Sequence, residues 1–204
     1  MSASVQVIST KTTTLPEKSY SLEAYLAMEA RSRTKHEFYD GKIVLMAGSK
    51  YTHNLIAMNT GSALHYLVQS LSQEFVVLNS DQKIYLPNVN DVVYPDAVVI
   101  CEVPEFWNGR EDLLLNPLLV VEILSKSTAK YNRNGKFLLY NQIPSFREYV
   151  LIEQKKAPIE SWFRLTTDGN TWDKTIQTNL NESLSLRSLG ISLALSQVYR
   201  QVKF

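Results

Sequence analysis

The sequence predicts an α+β or mixed α/β fold organised on a central sheet, and three observations lead there. Two segments with helical periodicity stand early in the chain. Short apolar, β-branched runs then crowd between residues 74 and 125, and a further helical segment interrupts them before more strands follow.

The elements can be taken in order. Ser21 stands as an N-cap before "LEAYLAMEARS", with Glu23 in the first turn of a short amphipathic helix. "YDGKIVLMAG" sets Asp40-Gly41 at a tight turn and continues as an apolar strand. In "YTHNLIAMNTGSALHYLVQSLS", Leu55, Ile56, Ala63, Leu64, Leu67, Val68 and Leu71 recur close to the 3.6-residue period, so this segment is a second helix lying against a sheet. Strands follow in "EFVVLN", "DQKIYLP", "DAVVICE" and "LLVVEILS", with a loop "VPEFWNGREDLLLNP" between the last two. "AKYNRNGKFLLYNQI" reads as a helix ended by Pro144; "REYVLIE", "IESWFRL" and "TWDKTIQT" read as strands, and "LALSQVYR" as a short final helix.

Composition limits the function classes. Lys plus Arg number 21 against 20 for Asp plus Glu, so the whole molecule has no basic field to draw it onto nucleic acid or an anionic membrane, and any such patch must be local. The single cysteine, Cys101, reads as a small buried hydrophobe and cannot form an internal disulfide. The opening "MSASVQVISTKTTTLPEK" lacks the apolar core of a signal peptide, and no stretch approaches the ~18 apolar residues of a membrane span. These readings predict a cytoplasmic protein with a loose arm over residues 1–18 and a single domain over 19–204.

One carboxylate breaks the pattern. In "PLLVVEILSKS", Glu122 stands inside an unbroken apolar run. An ionised carboxylate in an apolar interior costs several kcal/mol unless it is paired, hydrogen-bonded or bound to a cation. A buried lysine or arginine is one solution. Asp96, at the start of the apolar strand in "YPDAVVICE", suggests another. If the two strands are antiparallel neighbours, the start of the first lies beside the end of the second, and the two carboxylates meet. They would repel each other unless a cation sat between them. Oxygen ligands favour Mg²⁺ or Mn²⁺, and Mg²⁺ commonly takes one or two carboxylates while keeping several waters. The plainer role for Asp96 is to bond turn amides after Pro95.

Pro95-Asp96 followed by Glu122 resembles the PD-(D/E)xK nuclease superfamily. The strings "HEFYDGKIVLMAG", "YPDAVVICEVPE", "LLNPLLVVEILSKST" and "KFLLYNQIPSFREYVLIE" resemble its Uma-type branch of restriction-endonuclease-like proteins from about Ser21 onward. The resemblance implies a restriction-endonuclease-like central mixed sheet flanked by helices, with additional C-terminal strands. It implies Asp96 and Glu122 as metal ligands, the main-chain carbonyl of Ile123 as a further ligand, and hydrolysis of a phosphodiester. The superfamily lysine normally stands two residues after the glutamate, on the same strand face. That position is Leu124 here, a departure from the pattern. The resemblance aligns Lys136 with a helix lysine that reaches back to such a site, with Lys126 as runner-up. It also offers Glu37 as an additional ligand or water-orienter; an ion pair with its neighbours Lys35 and His36 is the alternative. Asn132 stands where much of the family carries an aspartate, which removes a charge next to Arg133.

Lys126, Lys130, Arg133 and Lys136 fall within one short segment after Glu122, a local basic patch that DNA phosphates could use. A homodimer, which would cut both strands, follows by analogy with duplex nucleases. His53 and His65 fit no metal-ligand spacing and read as core or surface residues. Tyr140 and the aromatics of "ESWFR" read as core filling, although base stacking would use the same residue types.

Overall fold

The computed structural model describes residues 19–125, 129–155, 158–166 and 171–204; the predicted arm over 1–18 and the candidate Lys126 lie outside the described residues. Ser21 caps α1 (Leu22–Glu29), its hydroxyl accepting the Ala24 amide at 3.1 Å. That bond satisfies one of the amides a helix start leaves unpaired. β1 (His36–Tyr39) and β2 (Lys42–Leu45) form a hairpin whose turn residues, Asp40 and Gly41, have φ of 40° and 94°. A Cβ at Gly41 would also collide with the Ser19 hydroxyl, so glycine is required there twice over.

After α2 (Tyr51–Val68) come β3 (Phe75–Asn79), β4 (Lys83–Leu86), β5 (Asp91–Val93), β6 (Ala97–Cys101), β7 (Leu113–Leu114) and β8 (Leu119–Leu124). A helical segment of three parts follows: α3 (Ala129–Tyr131), a π-helical turn (Asn132–Lys136) and α4 (Phe137–Tyr140). The chain continues through β9 (Glu148–Glu153), β10 (Ile159–Arg164), β11 (Trp172–Gln177), β12 (Ser183–Leu186), β13 (Ile191–Ala194) and α5 (Leu195–Val198).

Among the described residues the strands form a six-stranded sheet in the order β11-β10-β9-β8-β6-β3, a five-stranded sheet β2-β1-β5-β4-β7, and the β12-β13 hairpin. Both larger sheets are mixed: β8 and β9 pair in parallel across the helical segment, β4 pairs in parallel with β7, and the other neighbours are antiparallel. This is the mixed sheet flanked by helices that the sequence predicts, with β10 and β11 as its additional C-terminal strands; the separate β12-β13 hairpin was not anticipated. The second sheet was not anticipated. Its members include strands of three and two residues, too short to show a period.

Strand alternation divides the interior. On β8, Leu119, Val121 and Ile123 join the core beneath α2, α5 and the β12-β13 hairpin. Val120 and Leu124 face the opposite core, formed with Tyr140, Phe146 and the five-stranded sheet's Ile84, Leu86 and Val93. Period two therefore points Glu122 at the second core, toward the seam where the two large sheets meet. No helix among the described residues is long and apolar enough to cross a membrane.

Candidate active site

The predicted strand pairing is present. β6 and β8 run antiparallel with Ala97 opposite Val121, and the Asp96 amide donates to the Val121 carbonyl at 3.1 Å. One further step of this register sets Asp96 opposite Glu122. The Ile123 amide donates to Asp96 Oδ2 at 2.6 Å, so the residue predicted as a carbonyl ligand already holds the aspartate through its main chain.

Glu122 is 3% exposed and accepts from three side chains of the helical segment. Lys136 Nζ and the Tyr140 hydroxyl reach Oε1, each at 3.0 Å, and Asn132 Nδ2 reaches Oε2 at 3.3 Å. Asn132, Lys136 and Tyr140 repeat every four residues. A regular α-helix turns once in 3.6 residues and would carry such a repeat steadily around its axis. The wider π turn over Asn132–Lys136 drifts the other way, so the three side chains stay on one buried face. Leu124, at the usual lysine position, is core. The charge comes to the same sheet face from the helical segment instead.

Lys136 uses all three of its donors. Nζ lies 2.9 Å from Glu37 Oε1, 3.0 Å from Glu122 Oε1 and 2.9 Å from the Tyr94 carbonyl. Glu37, on β1, also accepts from the Tyr94 amide at 3.1 Å and from the Tyr39 hydroxyl at 2.6 Å. Lys136 thus joins the five-stranded sheet, through Glu37, to the six-stranded sheet, through Glu122. Burial works against its charge, but Glu122 and Glu37 overcome that and raise its pKa above the ordinary lysine value. Burial pushes the Glu122 carboxyl up to about 7; Lys136 pulls it down, while the charges of Asp96 and Glu37 push it further up.

His53, near the start of α2, is a member that sequence reasoning missed. Its Nε2 lies 3.2 Å from Asp96 Oδ1. Burial disfavours charge on the ring, yet Asp96, by contact and charge, and then Glu122 leave its pKa raised. The two residues are 43 positions apart on different elements, with no spacing to flag them. Beside Asp96 an open groove of about 430 Å³ runs between α2 and the edge strand β3, lined by Asn54, Met58, Asn79 and Ser80 among others. Asp96 is therefore the carboxylate of the centre that borders the groove.

The basic patch is divided. Lys136 is buried in the centre, and Lys130 is exposed. Arg133 is held by Glu153 at 2.7 Å and Glu160 at 2.8 Å, with Lys174 also on Glu160 at 2.8 Å. Asn132 donates to Glu122.

The donor set suits a hard cation. Glu37 and Glu122 share the Lys136 ammonium, and Asp96 adds its charge beside Glu122, an excess of negative charge that a divalent ion would offset. Among the described residues no three His, Cys, Asp or Glu side chains are gathered closely enough to hold an ion by themselves. A site of this kind would rely on Asp96, Glu122, a main-chain oxygen and water.

Comparison with known proteins gives consistent findings. A family model described as "Uma2: Putative restriction endonuclease" matches residues 22–196. The chain is 32% identical over 189 residues to the uncharacterized protein slr1290 of Synechocystis sp., covering 93% of this chain and 96% of that one. It is 35% identical over 130 residues to the uncharacterized protein sll1609 of the same organism, covering 64% and 72%. Among solved structures, one described as a putative nuclease belonging to DUF820 from Anabaena variabilis superposes with a TM-score of 0.71 at 14% identity, over 90% of this chain and 99% of that one. The last likeness is one of fold.

Proposed function

Because this chain belongs to the Uma2 family of restriction-endonuclease-like proteins, we propose that it is a Mg²⁺- or Mn²⁺-dependent endonuclease that hydrolyses DNA phosphodiester bonds at the Asp96–Glu122 centre. The observation that carries this reading is the register of β6 on β8, which brings an aspartate and a buried glutamate to one seam beside an enclosed lysine. Asp96, Glu122 and the Ile123 carbonyl would hold the ion. When bound, it supplies Lewis-acid polarisation of the phosphate and a water of lowered pKa.

The chain's own residues have separate tasks. Lys136 bonds Glu122 and Glu37, pulls the Glu122 carboxyl down against its burial, and places positive charge where a phosphate would gain negative charge. Glu37, anchored by Tyr39 and the Tyr94 amide, holds that ammonium in place and is the nearest further carboxylate for orienting a water. Exposed Lys130 is available to a phosphate of the DNA backbone; Arg133 would have to exchange its carboxylate partners to join it. A homodimer would supply two such centres, one for each strand of a duplex.

A second reading, a member that binds nucleic acid or a protein without cutting, is favoured by two observations. Leu124 replaces the strand lysine, and every donor of Lys136 is already engaged. One experiment separates the two. Plasmid, linear duplex and single-stranded DNA are incubated with the protein in Mg²⁺, Mn²⁺ or EDTA, alongside Asp96→Ala and Glu122→Ala. Metal-dependent cleavage lost in both variants is expected; identical products from all three proteins would sink the nuclease reading and leave the binder.

A further inference from the structure

Among the described residues two donors reach the Asp96 carboxylate, and they come from different elements. The Ile123 amide on β8 takes Oδ2, and His53 Nε2 on α2 takes Oδ1. To donate to a carboxylate, Nε2 must carry a proton, whichever state the rest of the ring is in. Nδ1 is shut off from solvent and has no hydrogen-bond partner. Leaving a buried polar atom unpaired costs about 1–3 kcal/mol. A residue serving only to fill the space beneath α2 would do so better as an aliphatic side chain, as Ile56 and Leu64 do on the same helix. The contact that sets the imidazole apart from those residues is the one to Asp96.

We infer that His53 is a positioning residue for the metal-binding carboxylate, fixing the plane of Asp96 together with the Ile123 amide before an ion arrives. The inference rests on the metal-dependent reading above. A carboxylate offers about four lone-pair directions. Two are committed to donors on separate oxygens, and the remaining two stay available to a cation. With the rotamer already set, less side-chain freedom is lost on binding, and the ion meets its oxygen in one orientation. Asp96 has particular need of such support, because it borders the open groove, whereas Glu122 is enclosed by three donors of its own.

The test is calorimetric titration of Mn²⁺ into EDTA-stripped protein, which reads binding without any turnover. His53→Leu fills the space of the ring without a donor, and His53→Gln keeps an N–H near the position of Nε2. His53→Leu is expected to weaken Mn²⁺ about ten- to hundredfold, as for other residues that support a metal ligand, and His53→Gln to return most of that loss. Where the branched leucine prevents folding, His53→Met serves the same comparison. A donor-less variant that binds as tightly as wild type overturns the inference, as does His53→Gln binding as weakly as His53→Leu. Wild-type protein that takes up no Mn²⁺ refutes the metal reading itself, and the inference falls with it.

Discussion

At the scale of single residues, Lys136 and Glu122 carry the clearest consequences. Removing one member of a buried ion pair strands the other and costs about 3–5 kcal/mol. Lys136→Met is expected to lose stability of that order at pH 8.5 and less at pH 5.5, where Glu122 can take up a proton; urea unfolding at the two pH values reads the difference. Equal losses would mean that the ammonium is not what keeps the carboxylate ionised. Glu122 itself has a native pKa of about 7, above its ordinary 4.5. The contribution of its carboxyl is complete below 4.5 and disappears as pH rises through 7, because the unfolded chain ionises first. Glu122→Gln has no such proton to lose, so in EDTA its stability should decline less than that of wild type between pH 4.5 and 7. A parallel decline in both proteins would assign the pH dependence to other groups. Much of this centre was legible in the sequence: a carboxylate between Val121 and Ile123 needs a partner, and Asp96, Glu37 and Lys136 are gathered around it. His53 was not, because a contact between a helix and a strand end leaves no trace in residue spacing.

At the scale of elements, the π turn determines which side chains reach the centre. Gly135 lies within it, and a Cβ there would collide with the ring of Tyr131. That ring packs nearly perpendicular to Tyr39, the residue that bonds Glu37. Gly135→Ala should therefore destabilise by about 1–3 kcal/mol through overpacking, although alanine is the better helix former by ~1 kcal/mol. Denaturant unfolding measures the sign, and a gain in stability would show that the ring swings aside freely. Long elements with a strong period were readable in advance, α2 and β8 above all. β12 and β13 were hidden because each is only four residues long, "SLSL" and "ISLA", too short for its period to stand out. The π turn has no pattern of its own and follows from how the helical segment packs on the seam.

At the scale of the whole molecule, ion uptake and folding should be coupled. Mn²⁺ at a hundred times its dissociation constant would add about 2.7 kcal/mol to a native state that alone binds it. The melting temperature of wild type should rise with Mn²⁺ over EDTA, and Asp96→Ala should show no rise; an equal shift in both would place the binding elsewhere. Two sheets face each other across this region, and one ammonium grips an acid from each. Under the proposed function, chemistry and cohesion would share a fastener. A change that releases this side chain toward a phosphate also loosens the joint between the layers, so any gain in reactivity selected at position 136 has to be matched by new adhesion elsewhere along their line of contact.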